Sequence, residues 1–400
     1  MPSNETDLLH YGDNRFEEKG AINTPVYRAS LFSFETMEAF AQARNQGAHV
    51  YSRDSNPTRA TLEAKIAHLE KADHALALSS GMAAISLSLL ALLKQGDHLP
   101  VAHCCYGPTR QVCDTLLKNM GVEVEYFSSS ESTDLSPRLK PNTRVIYLES
   151  PGSKTFQIQD LRAVAKLARA NNIYTIIDNT WSTPLYQNPI TLGIDVVVHT
   201  ATKYIAGHSD AVAGLLACND ELYKKIQPVA EVLGAALSPD DSYLVTRGLR
   251  TLAVRLKQQG ETAMKIARWL QARPEVLRVL HPGLPEFEGY ELARTQLSGY
   301  TGLFSFSMKD PTPVEAQYAF VDALKLYGKG VSWGGYESLL LPTGDNHRSN
   351  PEVRESMGYD EEMYRLSIGL ESYEDLIADL ENAFAARATA IEKLSVIAEI

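Results

Sequence analysis

The sequence predicts an α/β fold in which a mostly parallel central sheet is sandwiched by helices, with a smaller α+β domain at the carboxyl end. Three observations predict it. From Thr61 to about residue 250, short runs rich in Val, Ile and Tyr alternate with helical segments. Beyond that point strands and helices no longer alternate in the same way. The 400 residues, 44% hydrophobic and 22% charged, exceed one average domain and can bury a sizeable core, which excludes a disordered, fibrous or collagen-like chain. Three parts are expected: an N-terminal extension over 1–55, a first domain over 56–250 and a second over 251–400.

Each element has a local reason. The opening residues are mixed and loop-rich, with a short amphipathic stretch from Phe34 to Ala43. TLEAKIAHLEK from Thr61 reads as a helix and ALAL from Ala75 as a buried strand. The next helix is opened by Ser79, Ser80 and Gly81 and closed by Gly96. HLPVA, VEVEYF, RVIYLES, YTIID, IDVVVHT and GLLAC follow as strands. Between them, the segment Leu161 to Ala170 places Leu161, Val164, Leu167 and Ala168 on one helical face. Pro239 to Arg273 reads as a long helical region. In the second domain VLRVL, GLFSFSM and YRLSIGL are strand-like, while Pro313 to Leu326 and Tyr373 to Leu394 are helical.

Charge and cysteine usage narrow the function. With 38 basic and 49 acidic side chains the net charge is −11, which repels polyphosphate backbones and anionic membranes, so neither is an expected partner. Cys104, Cys105, Cys113 and Cys218 contain no Cys-x-x-Cys, so reduced thiols are expected and no metal site. The amino terminus is polar and acidic, and the longest apolar run, Ile85 to Leu93, is far short of the ~20 residues that span a bilayer. A cytoplasmic protein is expected.

In an open α/β sheet, ligands sit beyond the carboxyl ends of the strands. Ser79-Ser80-Gly81-Met82 lies between a strand and a helix N-terminus, where backbone N–H groups and the macrodipole favour an anion, although the same residues also simply cap a helix. Neither Gly-x-Gly-x-x-Gly nor Gly-x-x-x-x-Gly-Lys-Ser/Thr is present, which removes the usual support for a dinucleotide or nucleoside triphosphate. Asp178 ends the strand from Tyr174, as a loop cap or a cofactor contact. Lys203 follows the strand IDVVVH within Thr200-Ala201-Thr202-Lys203-Tyr204, where a lysine alone would be a surface cation. An anion nest, a strand-end carboxylate and a strand-end lysine are together the parts that hold pyridoxal phosphate: an amine for its aldehyde, a carboxylate for its pyridine nitrogen and donors for its phosphate.

These residues resemble the Cys/Met-metabolism group of fold-type I pyridoxal-phosphate enzymes over essentially the whole chain. The segments that carry the resemblance are YSRDSNPT from Tyr51, SSGMAA from Ser79, Tyr106-Gly107-Pro108, IIDNTW from Ile176, TATKYIAGHSDAVAG from Thr200, SWGGYESL from Ser332 and YRLSIGLE from Tyr364. The resemblance implies the fold-type I transferase fold, Lys203 as the Schiff-base lysine, Asp178 on the pyridine nitrogen, and Gly81, Met82, Thr200 and Thr202 on the phosphate. It implies that Tyr106 stacks on the cofactor ring and takes part in catalysis. Tyr51 and Arg53 would reach the cofactor phosphate of a neighbouring subunit, within a homotetramer of active dimers. Arg365, Ser332 and Trp333 would contact the substrate, with the planar fork of Arg365 on its α-carboxylate.

The expected substrate is an amino-acid thioether and the expected reaction is β-elimination from L-cystathionine, giving homocysteine, pyruvate and ammonia. Trp333 is typical of the family's bacterial β-lyases. Pro108 stands where methionine γ-lyases usually carry cysteine, and Glu149-Ser150-Pro151-Gly152-Ser153 resembles the β-lyase form. YSRDSNPT is instead the version commonest in γ-acting relatives, so a γ-lyase or γ-synthase is the alternative.

Overall fold

The computed structural model describes residues 4–343 and 357–398. In chain order they form α1 (Asn4–His10), α2 (Met37–Asn45), α3 (Pro57–Glu70), β1 (His74–Leu78), α4 (Gly81–Leu92), β2 (His98–Ala102), α5 (Gly107–Gln111), β3 (Glu123–Phe127), β4 (Val145–Glu149), α6 (Leu161–Ala170), β5 (Tyr174–Asp178) and α7 (Thr183–Tyr186). There follow β6 (Val196–Thr200), β7 (Gly214–Cys218), α8 (Asp220–Leu233), α9 (Pro239–Arg250), α10 (Leu252–Gln271), β8 (Val276–Leu280), α11 (Tyr290–Gln296), β9 (Leu303–Met308), α12 (Val314–Ala323), β10 (Leu339–Pro342), β11 (Met363–Ser367) and α13 (Tyr373–Ala398). The chain divides into two compact units, Met1–Glu149 with Gln159–Ala253, and Ser150–Ile158 with Val254–Ile400. None of the described helices is long and apolar enough to cross a membrane.

The first unit is built on a seven-stranded sheet of order β1-β7-β6-β5-β4-β2-β3. β2 to β6 run parallel, because each is separated from the next by enough chain to cross back over the sheet. β7 is antiparallel to both of its neighbours, β6 and β1. Only residues 201–213 join β6 to β7, and they contain no crossover helix, so the chain returns beside the strand it has just left. Core strands with both faces covered read as nearly continuous apolar runs. Side-chain alternation then sorts them: Ile176, Val196, Val198 and Leu216 pack with α4 and α8 on one face, and Ile177, Val197 and Leu148 with α6 on the other.

Three details differ from the sequence reading. The α4 helix stops at Leu92, because Leu93 is already extended (φ −117°, ψ 145°); Gly96, with φ +86°, serves the following turn instead. The region from Pro239 to Arg273 is two helices, broken at Thr251 (φ −103°, ψ 5°). Leu249, Leu252 and Leu256 are fully buried there, whereas Val254 is 69% exposed. The second unit's antiparallel sheet, β10-β11-β9-β8, includes the short strand β10, which four residues ending in proline did not announce.

Candidate active site

Because β7 alone among β2 to β7 runs backwards, its first residue lies at the same edge as the last residues of β6, β5 and β4. There the first unit gathers its chemistry. Ser80 caps α4, its hydroxyl accepting the N–H of Ala83 (3.1 Å), and the first intrahelical bond runs from Ala84 N–H to Ser80 O (3.1 Å). The amides of Gly81 and Met82 thus lie ahead of that bond, at the positive end of the helix. A Cβ on residue 81 would overlap the Thr200 hydroxyl and lie 2.7 Å from Thr200 Cβ, and one on residue 214 would lie 2.8 Å from Gly81 N. Glycine at both positions lets a helix N-terminus, the end of β6 and the start of β7 converge.

Lys203 lies in the loop between β6 and β7. Thr200 and Gly214 are register partners, so the loop leaves and re-enters the sheet on one rung. Its neck is closed by Thr202, whose Oγ1 accepts the N–H of Ala213 (3.0 Å) and donates to the Ala213 carbonyl (3.3 Å). The backbone around the lysine is held by Lys203 N–H to Thr200 O (3.1 Å) and Gly207 N–H to Lys203 O (2.8 Å). Gly207 (φ +67°) and Ser209 (φ +56°) turn the chain back, and His208 Nδ1–H donates to Ala206 O (2.7 Å). Gly248 of α9 removes the side chain that would overlap the Ala206 carbonyl.

Asp178, at the end of β5, is only 6% exposed. The amide of Thr180 (2.9 Å) and the Thr180 hydroxyl both donate to its Oδ1. Burial pushes this carboxyl above the ordinary carboxylate range, while the Thr180 bonds and the neighbouring His199 and Lys203 charges oppose that rise. Its register partner on β4 is Glu149, a second strand-end carboxylate, which accepts the N–H of Tyr106 at 2.7 Å. Glu149 is held in turn, its own N–H donating to Gln159 Oε1 (3.1 Å) and its carbonyl accepting from Cys104 Sγ (3.4 Å). The Tyr106 backbone is therefore fixed while its side chain remains 41% exposed. The sequence reading takes Glu149 only as part of the Glu149–Ser153 segment and gives Thr180 no role. The signal was present in Glu149, an acid closing a buried strand as Asp178 does. All four cysteines are buried thiols; burial pushes Cys104, Cys113 and Cys218 up to about 12 and Cys105 well above its usual value.

The remaining predicted residues are placed differently. Tyr51 is 44% exposed, and the Arg53 guanidinium lies 5.2 Å from its ring centroid while bonding Asp54 at 3.0 Å. In the second unit Arg365 sits on β11, and its Nη2 donates to Ser332 O at 3.3 Å. Ser332 has φ +85°, a conformation a non-glycine residue holds only where its surroundings over-determine it. Here they do: Gly334 N–H donates to Ser367 Oγ (3.0 Å) and Gln259 Nε2–H to Gly335 O (2.6 Å), so the backbone on the carboxyl side of Trp333 is tied to β11 and α10.

Residues 5–385 match the Cys/Met metabolism PLP-dependent enzyme family. The chain belongs to that family. It is an enzyme, and pyridoxal phosphate is its cofactor. Among similar proteins, a cystathionine β-lyase of Escherichia coli is 36% identical over 95% of this chain and 98% of its own. An L-methionine γ-lyase of Pseudomonas deceptionensis is 40% identical over 96% and 97%. A crystal structure of cystathionine γ-synthase from Xanthomonas oryzae, in complex with aminoacrylate and cysteine, superposes with a TM-score of 0.91 at 33% identity, over 98% of this chain and all of that one. The geometry of the family member described here fits its cofactor. Side-chain-free Gly81 makes room for the Thr200 hydroxyl beside two helix-end amides, donors suited to a phosphate, and buried Asp178 is a carboxylate suited to a protonated ring nitrogen.

Proposed function

We propose that this enzyme is a carbon–sulfur lyase that cleaves L-cystathionine by β-elimination to homocysteine, pyruvate and ammonia. The observation that carries the reading is Trp333. Its neighbour Ser332 presents its carbonyl to Arg365, and the following residues are tied to β11 and α10, so Trp333 sits on a backbone segment held at both sides. Supporting it are Pro108, standing where methionine γ-lyases usually carry cysteine, and the Glu149-Ser150-Pro151-Gly152-Ser153 segment, which resembles the β-lyase form.

When bound, the cofactor supplies an electron sink conjugated to the substrate's α-carbon. The chain's own residues do the rest. Lys203 Nζ would hold the cofactor aldehyde at rest and, once displaced from it by the substrate's amine, would remove the α-proton and return a proton to the departing sulfur. Ionised Asp178 keeps the ring nitrogen protonated, and each pKa unit of that preference is worth about 1.4 kcal/mol. The amides of Gly81 and Met82 and the hydroxyl of Thr200 would bind the phosphate, joined by Thr202 if its hydroxyl proton turns from the Ala213 carbonyl. Tyr106 would stack on the ring and help take up the proton of the incoming amine. The Arg365 fork holds the α-carboxylate.

Tyr51 and Arg53 would reach the cofactor phosphate of a neighbouring subunit in this reading, within a homotetramer of active dimers in the cytoplasm; their exposure in the single chain leaves them available to a second subunit. The YSRDSNPT segment favours a second reading, a γ-lyase or γ-synthase. Incubating the purified holoenzyme with L-cystathionine and identifying the products separates the readings. Homocysteine with pyruvate is expected; cysteine with 2-oxobutyrate would overturn β-elimination.

A further inference from the structure

Behind the edge that carries Asp178 and Thr200 lies a buried carboxylate with no part in the chemistry above. Glu70 is the last residue of α3 and is fully buried. Its Oε1 is 2.5 Å from His199 Nε2, on β6, and 3.2 Å from Asn179 Nδ2, just past β5. The same Asn179 Nδ2 donates to Gln187 O at 3.0 Å. A buried carboxylate carries a desolvation cost that its hydrogen bonds must offset, so its partners are informative. Asn179 follows Asp178, and His199 precedes Thr200. Strand alternation puts Asp178 on the α4 side of the sheet, with Ile176, and His199 on the opposite side, with Val197.

One carboxylate thus grips, from the far side of the sheet, the neighbours of the two residues that face the cofactor. Two bonds at the same rung complete the arrangement: Asn179 N–H to Val198 O (2.9 Å) and Thr200 N–H to Thr180 Oγ1 (2.8 Å). We propose that Glu70 is a positioning residue for the cofactor, its carboxylate setting the separation between the ring-nitrogen anchor Asp178 and the phosphate anchor Thr200. The inference rests on the roles proposed for those two residues.

The test uses full-length protein, stripped of cofactor and titrated with pyridoxal phosphate. Affinity, absorption maximum and its pH dependence are followed together with thermal stability. Glu70→Gln is expected to weaken affinity tenfold or more and shift the absorption maximum, and Glu70→Asp to recover part of both. Asp379→Asn, which alters a comparably buried carboxylate bonded to the amides of Lys325 and Leu326, is the control for stability alone. The proposal is overturned if Glu70→Gln melts earlier, as the control does, yet keeps affinity within twofold and an unshifted spectrum. If Glu70→Gln does not fold, Asn179→Ala and His199→Gln are judged by the same readouts. Unchanged affinity and spectrum in Asp178→Asn would refute the anchor assignment itself, a result distinguishable from failure of the brace.

Discussion

The β5–β6 edge and the Tyr51–Arg53 loop, both proposed to contact the cofactor, are built in opposite ways. At the edge every backbone segment is tied down: Thr180 to Asp178, Thr202 to Ala213, Tyr106 to Glu149. At the loop the backbone is held, since Arg59 donates to the carbonyls of Ser52 (2.9 Å) and Arg53 (3.3 Å), but the side chains of Tyr51 and Arg53 are about half exposed. A single chain therefore holds one group of the proposed cofactor contacts internally and leaves the other at its surface. Preorganisation resides where burial forces polar groups to be satisfied.

The strongest way to break this contrast is at its chemical centre. Lys203→Ala is expected to lower turnover at least a thousandfold, by analogy with removal of other catalytic groups, and to abolish borohydride trapping of the cofactor on the protein. Turnover near the wild-type rate would discard the assignment. The second unit offers a pH arm to the comparison. His281 is fully buried and accepts the N–H of Gly283 at Nδ1 (2.9 Å), and burial lowers its pKa from 6.5 to about 4. The unfolded chain binds this proton more readily than the folded one. Stability is therefore fully present above pH 6.5 and is lost as pH falls toward 4, by about 3 kcal/mol. Melting temperatures across that window should fall less steeply for His281→Asn.

A smaller effect is expected from Gly81→Ala, whose added methyl meets Thr200. Overpacking of this kind costs roughly 1–3 kcal/mol, and cofactor titration should show at least tenfold weaker binding. Unaltered affinity would mean that the close approach at Gly81 serves packing alone. The smallest change in stability is predicted at the displayed side: Arg53→Ala should stay within about 0.5 kcal/mol of the parent. Its cofactor affinity should drop only in the assembled oligomer, as read by titration alongside sedimentation. A stability loss well beyond that value would show that Arg53 belongs to the chain's internal scaffold.

Residues whose chemistry is specified by type and local spacing were legible before any coordinates. Lys203 in TATKYIAGHSD, Asp178 at the end of an apolar strand and the Ser–Gly helix start all announce themselves within a few residues. Glu149 was named only within the Glu149–Ser153 segment, although it closes a buried strand as Asp178 does. Glu70 was invisible, because nothing in LEKAD distinguishes a buried brace from an ordinary helix-end acid; its partners lie 109 and 129 residues away. The break at Thr251 and the short strand β10 were also hidden, since both depend on what packs against them.

By itself the sequence determined the alternation of apolar runs that makes an α/β sheet, and it pointed to the lysine, aspartate and glycine proposed to hold the cofactor. Periodicity and side-chain chemistry are local properties of a chain. Only the tertiary structure decided that β7 runs backwards, bringing Gly214 to the same rung as Thr200, and that Glu70 and Glu149 fall beside residues remote in sequence. Those outcomes follow from strand order and from the need of buried polar groups for partners, which the folded chain meets across long separations.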